Sequence, residues 1–139
     1  MIVLDTNVLA EVLRPVPSAV VLRWLADQEP ASVFITAITQ AEVLYGVEIL
    51  PAGKRRERLH HAVEKLITDD FRDRILSFDE RAGPIFAKIV ADRQATGRPA
   101  PQLDAMIAAI ARSHRATVAT RNIADFVHCG VRVINPWDE

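Results

Sequence analysis

The sequence predicts an α/β protein, with a mostly parallel sheet covered by helices on both faces. Short apolar runs of strand length alternate with longer stretches of helical period along the whole chain. Strands separated by helices pair in parallel, and their crossovers cover the sheet. A second observation is that four carboxylates, Asp5, Glu42, Asp104 and Asp125, sit beside apolar segments in successive strand–helix units. In an open parallel sheet such positions meet in the crevice at the carboxyl ends of the strands. The third is scale: 139 residues, half of them hydrophobic and a quarter charged, suit one domain over residues 1–139 with a real core.

Each element has its own signal. Met1–Leu4 reads as a short buried strand, and Asp5-Thr6-Asn7 as a turn with helix-capping chemistry leading into Val8–Arg14. Pro15 and Pro17 break that helix. Ser18 can cap a second helix through Asp27, with Val20, Val21, Trp24 and Leu25 on one face. After the Glu29-Pro30 turn, Val33–Thr36 is a second strand. Thr39–Leu50 is helical with apolar Ala41, Leu44, Tyr45 and Ile49, and Pro51-Ala52-Gly53 ends it. Lys54–Ile67 is a basic, then amphipathic, helix. Ile75–Phe78 is a third strand, followed by a helix to Ala95 whose regular part starts near Gly83-Pro84. Thr96–Pro101 is a loop and Gln102–His114 an alanine-rich helix. Thr117–Thr120 is a strand, Asn122–Phe126 a short turn or helix, and Val131–Ile134 the last strand.

Bulk properties exclude several classes. The net charge is −1 and the pI is near 6.4, so nucleic-acid contact must come from local clusters or a partner. The single cysteine, Cys129, excludes an internal disulfide and any multi-cysteine metal site, and favours a reducing compartment. An acid at position 5 leaves no apolar signal-peptide core, and no uncharged run approaches the roughly 18 residues of a membrane span. A cytoplasmic location is the expectation, with no membrane.

Taken singly, each acid has an ordinary structural role. Asp5 suits a helix cap. Glu42 closes the capping box Thr39-Gln40-Ala41-Glu42. Asp104 sits in a first helical turn, where the dipole favours negative charge, and Asp125 suits a turn. Together they suggest more. Gathered acids repel one another, and a hard divalent cation such as Mg²⁺ or Mn²⁺, which prefers oxygen ligands, is what would hold them in one pocket.

The usual rivals lack their motifs. Neither G-x-G-x-x-G nor G-x-x-x-x-G-K occurs, nor a G-x-S-x-G elbow. His60 and His61 are adjacent and point in different directions on a helix, which suits solvated surface residues. Cys129 reads as an inert thiol. A phosphoacceptor built on Asp5 usually has a second Asp two residues on, where this chain has Asn7. Basic residues cluster at Lys54, Arg55, Arg56 and Arg58, which read as a solvated helix face. A second cluster, Arg112, His114, Arg115 and Arg121, is nearer in sequence to Asp104 and Asp125; Arg112, Arg115 and Arg121 are the expected phosphate-backbone contacts.

Ile2-Val3-Leu4-Asp5-Thr6-Asn7-Val8-Leu9, Thr39-Gln40-Ala41-Glu42-Val43-Leu44-Tyr45-Gly46, Asp104-Ala105-Met106-Ile107-Ala108-Ala109, Ala119-Thr120-Arg121-Asn122-Ile123-Ala124-Asp125-Phe126 and Val133-Ile134-Asn135-Pro136-Trp137 together resemble the PIN-domain ribonucleases, in particular the VapC-type and FitB-like toxins of type II toxin–antitoxin systems. The likeness spans nearly the whole chain. It implies a three-layer α/β/α sandwich around about five short strands. It also implies a Mg²⁺- or Mn²⁺-dependent endoribonuclease whose metal is held by Asp5 and Asp104, with Glu42 and Asp125 completing the shell. Thr6, Asn7 and Thr120 would border the site. Some family members carry an Asp directly after Thr-Arg, where this chain has Asn122, so Asp125 takes the fourth position with Asn122 as a polar neighbour. The resemblance further implies a homodimer that can pair into a dimer of dimers, and a cognate antitoxin that blocks the acids and links the toxin to operator DNA. Loss of the antitoxin would then inhibit translation. A competing reading is a weakly catalytic subunit whose main role is antitoxin binding in a DNA-bound autorepressing complex.

Overall fold

The computed structural model describes residues 1–139. Its elements alternate as expected. The strands are β1 (Ile2–Leu4), β2 (Val33–Thr36), β3 (Ile75–Leu76), β4 (Thr117–Ala119) and β5 (Val133–Ile134). The helices are α1 (Thr6–Val12), α2 (Ala19–Ala26), α3 (Ala37–Glu48), α4 (Lys54–Lys65), α5 (Ala82–Ala95) and α6 (Gln102–Ser113). The strands form one sheet in the order β3-β2-β1-β4-β5. Every pairing is parallel, so the sheet is wholly rather than mostly parallel. β3 and β5 are only two residues long, shorter than the apolar runs that mark them. Both are edge strands, paired on one side only.

Strand side chains alternate between two cores. Val3 and Val118 turn to one face, where α5 and α6 supply Ile89, Ile107 and Ile110. Leu4, Ile35 and Ala119 turn to the other, under Val8 and Leu9 of α1, Val21 and Trp24 of α2, Val43 and Val47 of α3 and Val63 of α4. Three layers result. The chain runs outward from β1 in both directions, which places the topological switch between β1 and β4.

Local chemistry explains the helix starts that position the site. Asp5 caps α1, its carboxylate accepting from the Thr6 amide, and Ser18 caps α2. α3 starts earlier than the capping box predicts: Thr36, the last residue of β2, is its cap and accepts from the Thr39 amide. Glu42 is therefore free of capping duty. The buried stripe of α3 is Thr39, Val43 and Val47, while the apolar Leu44, Tyr45 and Ile49 face solvent at 36%, 65% and 62% exposure. α4 ends in a π-turn over Leu66–Asp70. No helix is long and apolar enough to cross a membrane.

Candidate active site

The site lies at the carboxyl ends of β1 and β4. Asp5 follows β1 directly and is 4% exposed. Both of its oxygens are engaged. Oδ1 accepts from the Thr6 backbone amide at 2.8 Å; Oδ2 accepts from the Thr120 hydroxyl at 2.7 Å and from Asn7 Nδ2 at 3.2 Å. Thr120, fully buried at the end of β4, also accepts from Asn7 Nδ2 at 3.1 Å and from the Asn122 amide at 3.0 Å. The Arg121 amide in turn donates to Asn7 Oδ1 at 3.3 Å. The two loops on either side of the switch point are thus tied together through Asp5, Asn7 and Thr120.

Glu42 reaches the site from α3. Its Oε1 accepts from the Thr6 hydroxyl at 2.7 Å, and Thr6 Oγ1 lies 3.1 Å from Thr39 Oγ1. Thr39 is a member of this network that sequence reasoning passed over, because it was assigned to the helix cap. Asp104 stands in the first turn of α6, and its carboxyl is pushed up to about 7 by burial and by the negative charges of Asp5, Asp125 and Glu42. Asp125 ends a 3-10 turn, Ile123–Asp125, and is one of the groups that raise Asp104. Asp5 is also raised, first by burial, then by Glu42 and Asp125. The charges of Asp5, Glu42 and Asp125 all reach Asp104, while Asn122 contributes its backbone amide to Thr120.

None of the four makes an ion pair with a Lys or Arg; the salt bridges all lie elsewhere. The donors are carboxylate and hydroxyl oxygens, with no imidazole or thiolate among them, which suits Mg²⁺ or Mn²⁺. No three acidic, histidine or cysteine side chains close into a ready-made metal cage. Open spacing is what like charges adopt, and Mg²⁺ keeps several waters of its own rather than filling an all-protein cage. The residues fit such an ion.

Of the expected phosphate contacts, Arg121 lies at the site's edge, its guanidinium 5.1 Å from the centre of the Trp137 ring. Arg112 and Arg115 do not. Arg112 is eight residues along α6 from Asp104, about 12 Å by helical rise, and its guanidinium lies against Gly130. Arg115 precedes β4 and sits at the opposite end of the sheet. The other basic cluster is the nearer one. Arg55 and Arg58 of α4, with Arg14, line a groove of about 850 Å³ that runs between α1, α3 and α4 from Thr6 and Glu42. Arg14 is braced there by the buried Glu11, which also accepts from the Ser18 amide. His60 and His61 are exposed, with His60 beside Glu64, and Cys129 is buried with its thiol pushed up, first by desolvation.

The family model of the PIN domain matches residues 2–128. The chain is 42% identical over 139 residues to the toxin FitB of Neisseria gonorrhoeae, covering 100% of both chains. It is 37% identical over 138 residues to the VapC ribonuclease Y4jK of Sinorhizobium fredii, covering 99% of both. Among solved structures it is similar to FitAB bound to an IR36 DNA fragment, with a TM-score of 0.93, 42% identity, and coverage of 99% of this chain and 96% of that one.

Proposed function

The chain belongs to the PIN-domain family, and from that membership we propose that it is a Mg²⁺- or Mn²⁺-dependent endoribonuclease acting as the toxin of a toxin–antitoxin pair. The observation that carries this reading is the convergence of Asp5, Glu42, Asp104 and Asp125 at the carboxyl end of the sheet with no cationic side chain paired to them. Relatives named as a toxin and as a ribonuclease support it along the whole chain.

A bound divalent ion supplies a lowered water pKa and offsets charge on the scissile phosphate. Asp5 and Asp104 are the residues to hold it directly, with Glu42 and Asp125 completing the shell. Glu42 and Asp125 are also the candidates to accept the attacking water's proton. Thr6 and Thr120 aim the Glu42 and Asp5 carboxylates through their hydroxyls, as hydrogen-bond donors behind metal ligands do. Arg121 at one edge and Arg14, Arg55 and Arg58 along the groove give the RNA backbone its cations.

The partners follow the same premise. A cognate antitoxin would neutralise the toxin by occupying this acidic site, and FitAB bound to DNA supports an indirect link to operator DNA. The solvent-facing Leu44, Tyr45 and Ile49 of α3 suit a homodimer contact.

The test is cleavage of total RNA by the antitoxin-free protein with Mg²⁺, Mn²⁺ or EDTA, beside Asp5→Asn. Discrete metal-dependent fragments absent from the variant are expected. A folded protein that cleaves nothing in either metal would leave antitoxin binding as its main role.

A further inference from the structure

Arg93 is 4% exposed and has no carboxylate partner. An arginine so deeply buried must have its donors satisfied, since an orphaned buried charge is costly. Here the partners are backbone carbonyls. Nε donates to the Arg98 carbonyl at 2.6 Å, in the loop that closes α5. Nη1 donates to the carbonyls of Asp125 at 3.1 Å and Val127 at 2.9 Å, and Nη2 to that of Ala124 at 3.4 Å. Three of the four carbonyls belong to the segment that carries Asp125. Two of its other residues, Phe126 and Cys129, are fully buried beneath it, and Cys129 Sγ lies 3.6 Å from Nη1.

This segment is the least regular support any of the four acids has. Asp5 ends a central strand, Glu42 is inside a twelve-residue helix and Asp104 opens another. Asp125 ends a three-residue 3-10 turn, with no long helix or strand of its own beneath it. We infer that Arg93 is the positioning residue of the fourth carboxylate: by gripping the carbonyls of Ala124, Asp125 and Val127 from the buried face of α5, it holds Asp125 toward the other three acids. The inference rests on the proposal that Asp125 belongs to the metal site.

The test is Mn²⁺ affinity of the full-length, metal-free protein by titration calorimetry, beside amide hydrogen exchange of the same samples. Arg93→Met is expected to weaken Mn²⁺ binding about tenfold, as loss of a supporting outer-shell group does. Asp125→Asn is expected to weaken it similarly. The double variant should bind no worse than Asp125→Asn within about twofold, since two changes acting through one group do not add. The Phe126 and Val127 amides, both bonded to the Ile123 carbonyl, should exchange faster in Arg93→Met. Ile89→Ala, one turn away in the same helix and buried, is destabilised without losing the clamp; its Mn²⁺ affinity should hold.

If Arg93→Met does not fold, Arg93→Lys decides. Lysine keeps the charge, but its donors radiate from a single nitrogen, so it cannot span the same carbonyls, and a several-fold loss is expected. Wild-type affinity in the Arg93 variants, losses that add to those of Asp125→Asn, or an equal loss in Ile89→Ala would overturn the clamp. Asp104→Asn separates the two claims. If Asp104→Asn loses Mn²⁺ and the Arg93 variants do not, the clamp alone fails; if Asp104→Asn also binds normally, the site reading fails and the clamp with it.

Discussion

Asp104→Asn should stabilise the metal-free protein at neutral pH. Burial, Asp5, Asp125 and Glu42 push the Asp104 carboxyl from 3.8 up to about 7. At about 1.4 kcal/mol per pH unit the gap corresponds to about 4 kcal/mol. Asp104 is only half-buried, so solvent screening leaves about 2 kcal/mol. The sign follows from linkage. The folded-state value lies above the unfolded one, so the native state binds the proton more tightly. Its contribution is complete below about pH 4 and is lost as pH rises through about 7. Asparagine is nearly isosteric and carries no charge. In EDTA, the wild type should therefore lose about 2 kcal/mol relative to Asp104→Asn between about pH 4 and pH 7.5, an advantage for the variant of about 6 °C in Tm for a chain of this size. The assay is thermal and urea unfolding of both proteins across that window, read as a difference so that groups common to both cancel. Saturating Mn²⁺ should reverse the order, since the ion stabilises only the form that binds it. A difference that stays flat with pH, or a wild type that gains on the variant as pH rises, refutes the crowding of these carboxylates.

Further outcomes are expected. Asp5→Asn and Asp104→Asn should each lower RNA turnover by about a hundredfold or more with far-ultraviolet circular dichroism unchanged. Thr120→Val removes a donor to Asp5 and an acceptor for Asn7 and the Asn122 amide; a stability loss of about 1–3 kcal/mol and a tenfold or greater drop in turnover should appear together in melts and single-turnover assays. Arg55→Glu with Arg58→Glu should raise the KM for RNA and flatten the salt dependence of binding by about two phosphate contacts, whereas the same change at Arg115 should do neither. Gly130→Ala should lower Tm, because Gly130 has φ +76° and its added methyl would meet Arg112 Cζ at 2.9 Å.

Much of the fold was legible because its signals are local. Asp5 and Ser18 announce their helices by capping chemistry, and the apolar runs around Val3, Ile35 and Val118 announce strands. The four acids were legible as a set because each follows or opens such a signal. What escaped depends on three-dimensional placement. Thr36 and Thr39 are both good caps, and only the end of β2 decides between them. Leu44, Tyr45 and Ile49 have the helical spacing of a core face, yet Thr39, Val43 and Val47 take the sheet side. Sequence distance made Arg112 and Arg115 look close to Asp104, whereas a helix carries them away from it, and Arg55 and Arg58 arrive from a distant helix. Arg93 was invisible because its partners are carbonyls, which carry no residue identity.

The arrangement also explains why the acids come from four different elements. Carboxylates on one helix face would share a single support, and their repulsion would act on it as a unit. Here each is held separately. Asp5 is held by the Thr6 amide and Thr120, Glu42 by Thr6, and Asp104 by the first turn of α6, where the helix dipole favours its charge. Only Asp125 lacks a long helix or a central strand beneath it, and it is there that the fold commits a buried arginine to backbone carbonyls. A cation entering the site would find each carboxylate already held by its own element, so less of its binding energy goes to ordering them.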